Sequence, residues 1–393
     1  MRLWPEYSFD TIPLEFISSV YEEFLNERKF QNKAYYTPSH LVDYVLDAVL
    51  PWQGQDWNLR ILDPCCGSGI FLVKAFQRLI HRWRKANKRE PLVTDLRPIL
   101  ANNLVGVDKD PEAIRVACFS LYLAMADAIE PKHYVTRGDN SKVFPFLRNA
   151  RLHPNDFFDD AKSGFVTGAD NDSFDLVVGN APWGDGSSSN RVKRKKGAPI
   201  GEKQKKPLPT AAEIWAKAYG WQIVNNDIGP LFLAKAAALV KDSGRVAMIN
   251  TASILYWRDE SAHDLRSKLF RSFSFDEVTN LSALRRELFP QAIGPSCIFV
   301  YGKKASQPDA AFYYYVPKPL RLSQARGKQV RHGFTIEPQD VNTLSHEEAA
   351  DIGTSIVALP ARSCRCRACW CSFPMCRSPA NPRPARRVRN LSE

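Results

Sequence analysis

Nowhere in the 393 residues does an uninterrupted apolar run approach the roughly 18 positions needed to span a bilayer. Met1 to Asp10 also lacks the basic stretch and apolar segment of a secretory signal. These absences leave a cytoplasmic protein, with no membrane contact, as the expectation. No internal repeat is present, which excludes solenoids and propellers. Four of the nine cysteines (Cys65, Cys66, Cys118, Cys297) are scattered through apolar stretches, so no disulfide framework is implied. What is present is globular: 44% hydrophobic and 24% charged residues supply a sizeable core. The length suits one large α/β domain with an appendage, or two ordinary domains.

The formal charge of +12 is concentrated in two places. Arg191 to Lys206 and Leu359 to Glu393 each hold eight Lys or Arg against one Glu, which leaves the remainder close to neutral. A basic balance alone says little about nucleic acid, whereas a concentrated basic loop says more. From Leu359 onward the composition changes to Arg, Pro, Cys and Ser without a single Lys, and it cannot build a core. Its five cysteines, Cys364, Cys366, Cys369, Cys371 and Cys376, are too crowded for paired zinc ligands with a long intervening loop. No metal is expected, and residues 359–393 read as a disordered tail in a non-native reading frame.

Residues 1–33 show an amphipathic helical pattern, and Pro38 opens a second helix that Pro51 ends. Short apolar runs then alternate with helical patterns. Strands are expected at Arg60–Leu62, Leu104–Val107, Phe174–Val178 and Val246–Asn250, with an extended pair at Cys297–Val300 and Phe312–Val316. Helices are expected at Ile70–Arg84, Pro111–Ala126 and Pro230–Val240. The alternation predicts an α/β fold with a doubly wound, mainly parallel sheet. Gly184 to Pro209 has almost no large apolar residue and reads as a mobile basic loop.

Three segments carry chemistry. Asp63-Pro64-Cys65-Cys66-Gly67-Ser68-Gly69 joins a strand to a helix, and Gly67 and Gly69 let backbone approach a ligand at the strand's carboxyl end. Leu72 stands where a dinucleotide loop wants a third small residue, which disfavours NAD. Asp108 ends the next strand, where an acid can accept hydrogen bonds from two ribose hydroxyls. Asp110, before Pro111, is expected to cap the following helix. Asn180-Ala181-Pro182-Trp183 follows the Phe174–Val178 strand. The Asn180 side-chain oxygen and the Ala181 carbonyl can each accept one hydrogen from a planar amino group. Such acceptance pulls the nitrogen out of conjugation and frees its lone pair to attack a methyl sulfonium in line. Trp183, expected to be exposed, offers a stacking face for a base.

Together these segments resemble the gamma-class N6-adenine DNA methyltransferases of restriction–modification systems, the Eco57I-like N-6 DNA methylases, in C-terminally truncated form. Tyr35-Tyr36-Thr37-Pro38 matches the family's N-terminal cofactor motif, and Asp63 to Gly69 its cofactor loop, usually with Ala where Cys65 stands. Asp108 matches the ribose-binding acid, and Asn155-Asp156-Phe157-Phe158 the segment whose Asp binds the cofactor's adenine. Asn180 to Trp183 matches the catalytic Asn-Pro-Pro-aromatic tetrad, with Ala181 in place of the first proline.

The resemblance covers roughly residues 33–302 and implies a fold of the S-adenosylmethionine-dependent (Rossmann-like) type. It implies S-adenosylmethionine as cofactor, bound by Tyr36, Thr37, Pro38, Asp63, Pro64, Cys65, Gly67, Gly69, Asp108, Asp156 and Phe157. Catalysis falls to Asn180, Ala181, Pro182 and Trp183, acting on an adenine flipped out of DNA. The basic loop, Arg191, Lys193, Arg194, Lys195 and Lys196 above all, is expected to contact DNA phosphates. A specificity or restriction subunit acting in trans is a further expected partner. The implied organisation is a helical segment at 1–33 and a catalytic domain at 34–305. The start of a truncated target-recognition region at 306–358 and the tail follow, and the 33 leading residues leave no room for a fused endonuclease. Two alternatives stay open: a catalytically impaired remnant or binding subunit, and a methyltransferase acting on RNA or on a protein glutamine.

Overall fold

A computed structural model describes residues 37–130, 143–161, 165–184, 208–290, 292, 294–319 and 334–351. The expected helix at 1–33, Tyr36, the basic loop from Arg191 to Lys206 and the cysteine-rich tail lie outside the described residues.

The centre of the molecule is a nine-stranded sheet. Its members are β1 (Ile61–Asp63), β2 (Leu104–Asp108), β3 (Leu152–Pro154), β4 (Phe174–Asn180), β5 (Val240–Thr251), β6 (Ser274–Asn280), β7 (Ser296–Gly302) and β8 (Ala311–Tyr315). A separate two-stranded ribbon, β9 (Lys318–Pro319) with β10 (Phe334–Thr335), precedes the ninth member, β11 (Val341–Ser345). The spatial order is β11-β8-β6-β7-β5-β4-β1-β2-β3. β3, β2, β1, β4 and β5 run parallel, whereas β7 is antiparallel to both β5 and β6. The sheet is therefore doubly wound and mainly parallel, as expected. It also continues through β8 and β11 without a break near residue 305.

Burial explains the strand sequences. β1 is buried along its whole length, as a central parallel strand covered on both faces must be. Successive residues face opposite layers: Leu62 and Val177 enter one core, while Ile61, Leu176 and Val178 enter the other. The second of these cores is closed by α1 (Ser39–Val49), α2 (Ile70–Asn87), α3 (Val93–Asn103) and α4 (Pro111–Asp127). The first is closed by α5 (Ala211–Ala218) and α6 (Gly229–Leu239), by the short α7 (Ser253–Tyr256) and by α8 (Glu260–Ser272).

Asp110 caps α4 as expected: its carboxylate accepts from Glu112 N at 2.9 Å, with Pro111 in the first turn. α1 is tied to α2 by the fully buried Arg78, which bonds Asp47 at 2.8 Å and Asp43 at 3.1 Å, and by Lys74 to Asp43 at 2.8 Å. That tie holds the start of α1, and with it Thr37, beside the sheet's carboxyl edge. Among the described residues no helix is long and apolar enough to cross a membrane.

Candidate active site

The strand order reverses direction at β1. From β1 the chain proceeds outward to β2 and β3, then returns to β4 on the other side. Such a switch point opens a crevice outside the carboxyl ends of the strands, the usual ligand position in open α/β sheets. The carboxyl ends of β1, β2 and β4 are Asp63, Asp108 and Asn180, so the fold brings the three separate sequence signals to one crevice.

On the β1–β2 side the loop is held by its own carboxylates. Asp63 Oδ1 accepts from Cys65 N at 3.1 Å, and Asp108 Oδ2 accepts from Gly67 N at 2.9 Å. The other Asp108 oxygen takes Asp110 N at 2.8 Å. Each carboxylate oxygen has a second lone pair, so Asp108 keeps capacity for two hydroxyl donors. Gly67 lies at φ +51°, and a Cβ built there would meet open space, the room a bound ligand needs. Gly69 (φ +91°) also has a packing task. A Cβ there would sit 3.0 Å from the Ala117 Cβ, so this glycine lets α2 pack against α4.

Burial sets the electrostatics of this side. Asp63 is almost fully buried, which pushes its pKa from 3.8 up to about 8, and the nearby Asp108 charge adds to the rise. Asp108 is raised in the same direction by loss of water, against the opposing hydrogen bonds from Asp110 N and Gly67 N. Two carboxyls held in one crevice with little compensating charge form a site that favours a cation. A ligand with a positively charged sulfonium and ammonium meets that demand, and the hydroxyls of a ribose suit Asp108. These residues therefore fit S-adenosylmethionine.

On the β4 side, Asn180 lies half-buried at the strand end. Its Nδ2 donates to Thr37 Oγ1 at 3.0 Å, while Oδ1 is buried with no hydrogen-bond partner among the described residues. Three contacts fix the surrounding backbone. Ala181 N donates to Ile249 O at 3.0 Å, the Cys65 thiol donates to Asn180 O at 3.0 Å, and Gly184 N donates to Asp227 Oδ1 at 3.1 Å. Burial, with the Asp63 and Asp108 charges, pushes the Cys65 thiol well above its ordinary pKa, which keeps it protonated as the donor to Asn180 O. Pro182 is exposed, and Ala181 is buried.

Two expectations for side chains are corrected. Trp183 is only 9% exposed and packs edge-on against Phe289, with ring centroids 4.9 Å apart, so it is not the open stacking face expected from sequence. Phe157 is buried in the core and stacks on Phe232 at 5.2 Å, which leaves its backbone, not its ring, for a ligand. Cys65 reaches toward Asn180, so its side chain joins the two halves of the crevice.

Asp156 stands at the carboxyl end of β3 with Lys109 at 2.9 Å, a solvent-facing pair at the rim. Its neighbour Asn155 donates its N–H to Asp108 O at 2.8 Å, which fastens this segment to β2. Pro38 caps α1 immediately after Thr37.

Two residues escaped the sequence reading. Gly179 lets β4 pass the Asp63 carboxylate: a Cβ there would stand 2.5 Å from Asp63 Oδ1. The signal was available as a glycine breaking an otherwise apolar strand beside the tetrad. Lys235 on α6 is buried, donates to Phe157 O at 2.6 Å and pairs with Asp160, so it pins the 155–160 segment. Its sequence gave no such sign. Among the described residues no group of three or more His, Cys, Asp or Glu could hold a metal ion.

Residues 102–286 match the Eco57I restriction-modification methylase family. The chain is 24% identical over 287 residues to the type II restriction enzyme and methyltransferase RM.Eco57I of Escherichia coli, which covers 62% of this chain and 27% of that protein. It is 26% identical over 112 residues to the adenine-specific methyltransferase PglX of Streptomyces coelicolor, covering 28% of this chain and 9% of that one. The chain thus spans about a quarter of RM.Eco57I and less of PglX. Among solved structures, the DrdV–DNA complex superposes with a TM-score of 0.52 at 16% identity, over 77% of this chain and 30% of that one. The ATP-dependent Type ISP restriction-modification enzyme LlaBIII bound to DNA gives 0.51 at 16% identity, over 77% and 21%. Over residues 102–286 the chain is similar to the Eco57I restriction-modification methylases, and its fold is that of the DrdV and LlaBIII restriction-modification enzymes.

Proposed function

We propose that this chain methylates the N6 amino group of adenine in DNA as the modification part of a restriction–modification or phage-defence system. The observation that carries the reading is the Asn180 side-chain oxygen, a buried acceptor with no hydrogen-bond partner among the described residues, beside the cofactor crevice. A planar amino group is the donor such an acceptor lacks.

Asp63, Asp108, the Gly67 loop and the rim residue Asp156 would hold the cofactor, which when bound supplies an electrophilic methyl on a sulfonium. Asn180 Oδ1 accepts one amino hydrogen of the substrate, and the Ala181 carbonyl accepts the other. Both acceptors draw the nitrogen toward tetrahedral geometry and localise its lone pair, so attack on the methyl proceeds in line. Transfer would form the new N–C bond as the donor's S–C bond breaks, and the amino group would release its excess proton to solvent. The Ala181 role belongs to a backbone carbonyl, so loss of the family's first proline leaves it intact. Flipping the adenine out of the duplex costs a few kcal/mol, which contacts at Asn180 and Ala181 help to offset. Trp183 contributes by packing the loop against Phe289. The basic segment that includes Arg191, Lys193, Arg194, Lys195 and Lys196 supplies the charge for phosphate contacts. A specificity or restriction subunit in trans supplies target recognition.

Incubation with labelled S-adenosylmethionine and DNA, RNA or protein tests the reading. Label is expected in DNA, and label confined to RNA or protein would overturn it.

A further inference from the structure

We infer that Thr37 is the positioning residue for Asn180, holding one end of its amide so that the other is offered to substrate. The inference rests on the proposed role of Asn180 and adds a task that differs from the cofactor contact expected of this threonine.

Thr37 is buried, and its Oγ1 accepts the Asn180 Nδ2–H at 3.0 Å across 143 positions of sequence. The terminal torsion of an Asn side chain has a broad energy profile, so an unheld amide samples a wide range of orientations. Displacement of a reacting contact by about 1 Å can cost a hundredfold in rate. An acceptor meant for one amino hydrogen therefore needs its opposite end fastened.

The fastening point is itself rigid for three independent reasons. Thr37 precedes a proline, which confines its backbone to extended conformations. Its β-branched side chain is stiff at χ1. Pro38 opens α1, where its carbonyl accepts from Leu41 N at 2.9 Å and Val42 N at 3.1 Å, and α1 is locked to α2 through Arg78, Lys74, Asp43 and Asp47. The backbone of the tetrad is separately held by Ile249 O and the Cys65 thiol. The amide plane is the remaining freedom, and Thr37 is the side chain that removes it. The Asn180 oxygen, buried and without a partner among the described residues, is then the end left for substrate.

The test separates this role from cofactor binding and from failure of the underlying reading. Wild type, Thr37→Val, Thr37→Ser and Asn180→Ala are compared for methyl transfer to DNA at saturating S-adenosylmethionine, for cofactor Kd by calorimetry, and for the Asn180 side-chain amide signal in 15N spectra. That signal is assigned by its loss in Asn180→Ala. Thr37→Val should slow turnover about 10- to 100-fold, leave the cofactor Kd within about twofold, and shift or broaden the amide signal. Thr37→Ser, which keeps the hydroxyl, should restore turnover and the signal. Should Thr37→Val fail to fold, Thr37→Ala takes its place.

A weaker cofactor Kd with unchanged saturated turnover would make Thr37 a cofactor ligand and overturn the inference, as would an unmoved amide signal. Undiminished turnover in Asn180→Ala would instead defeat the proposed function, while the amide signal still decides the Thr37 contact.

Discussion

The two halves of the crevice are built on opposite plans. On the β1–β2 side the carboxylates are already engaged: Gly67 N and Asp110 N occupy Asp108, and Cys65 N occupies Asp63. On the β4 side the backbone is held from three directions, yet among the described residues the Asn180 oxygen is left without a partner. A loop that satisfies itself is preformed and binds by adding contacts. A buried acceptor without a partner stores a desolvation cost of about 1–3 kcal/mol that the correct ligand relieves. The first plan suits a cofactor common to many reactions, and the second suits a group that must be recognised and distorted.

The comparison breaks most sharply at Asn180. Asn180→Ala should lower turnover by about 10²–10³-fold, the usual loss when one preorganised transition-state contact is removed. Its cofactor Kd should remain unchanged by calorimetry, and a parallel loss of cofactor binding would mean that the halves are not separable.

Asp108→Ala should act in the reverse sense. Loss of charge-assisted hydrogen bonds of about 1.5–3 kcal/mol predicts a cofactor Kd roughly 10- to 150-fold weaker. Turnover at saturation should hold, and a kcat defect equal to the Kd defect would contradict the division.

The two glycines sharpen the contrast within the cofactor half. Gly69→Ala forces a Cβ against Ala117 as well as a left-handed backbone, and should cost about 2–4 kcal/mol in denaturant unfolding. Gly67→Ala meets only the backbone penalty, about 1 kcal/mol, and should act chiefly on cofactor affinity. Equal destabilisation by both would show that the helix contact is not what Gly69 serves.

A separate effect concerns pH. Asp63 is raised from 3.8 to about 8, so the folded chain holds a proton that the unfolded chain has released between those values. Stability contributed by this group is therefore lost as pH rises from about 4 to about 8, with no further loss above. Asp63→Asn should flatten the Tm profile over that window and raise Tm at pH 8 relative to wild type. A variant profile parallel to the wild type would assign the pH dependence elsewhere.

Much of this was legible before any coordinates. The β1, β2 and β4 strands, the Asp110 cap and the convergence of Asp63, Asp108 and Asn180 follow from local patterns with a mechanism behind them. α3 was missed because Pro98 reads as a helix breaker, although Leu96, Ile99 and Leu100 pack around it in the core. β6 was missed because its sequence is polar. Thr279 and Asn280 are buried in a network that bonds the Tyr44 and Tyr314 hydroxyls, a satisfaction that periodicity does not register. Trp183 was misread for the same reason at longer range: its exposure is decided by Phe289, on a distant loop. Local chemistry singled out the residues that the fold brings to one crevice, whereas side-chain burial depended on partners far away in sequence.

The nature of the methylated product tests the account most directly. DNA lacking prior modification, incubated with the chain and labelled S-adenosylmethionine and then digested to nucleosides, should yield N6-methyladenine as the labelled species, and none with Asn180→Ala. Label recovered in another nucleoside, or N6-methyladenine formed equally by the variant, would contradict an adenine amino group held at Asn180.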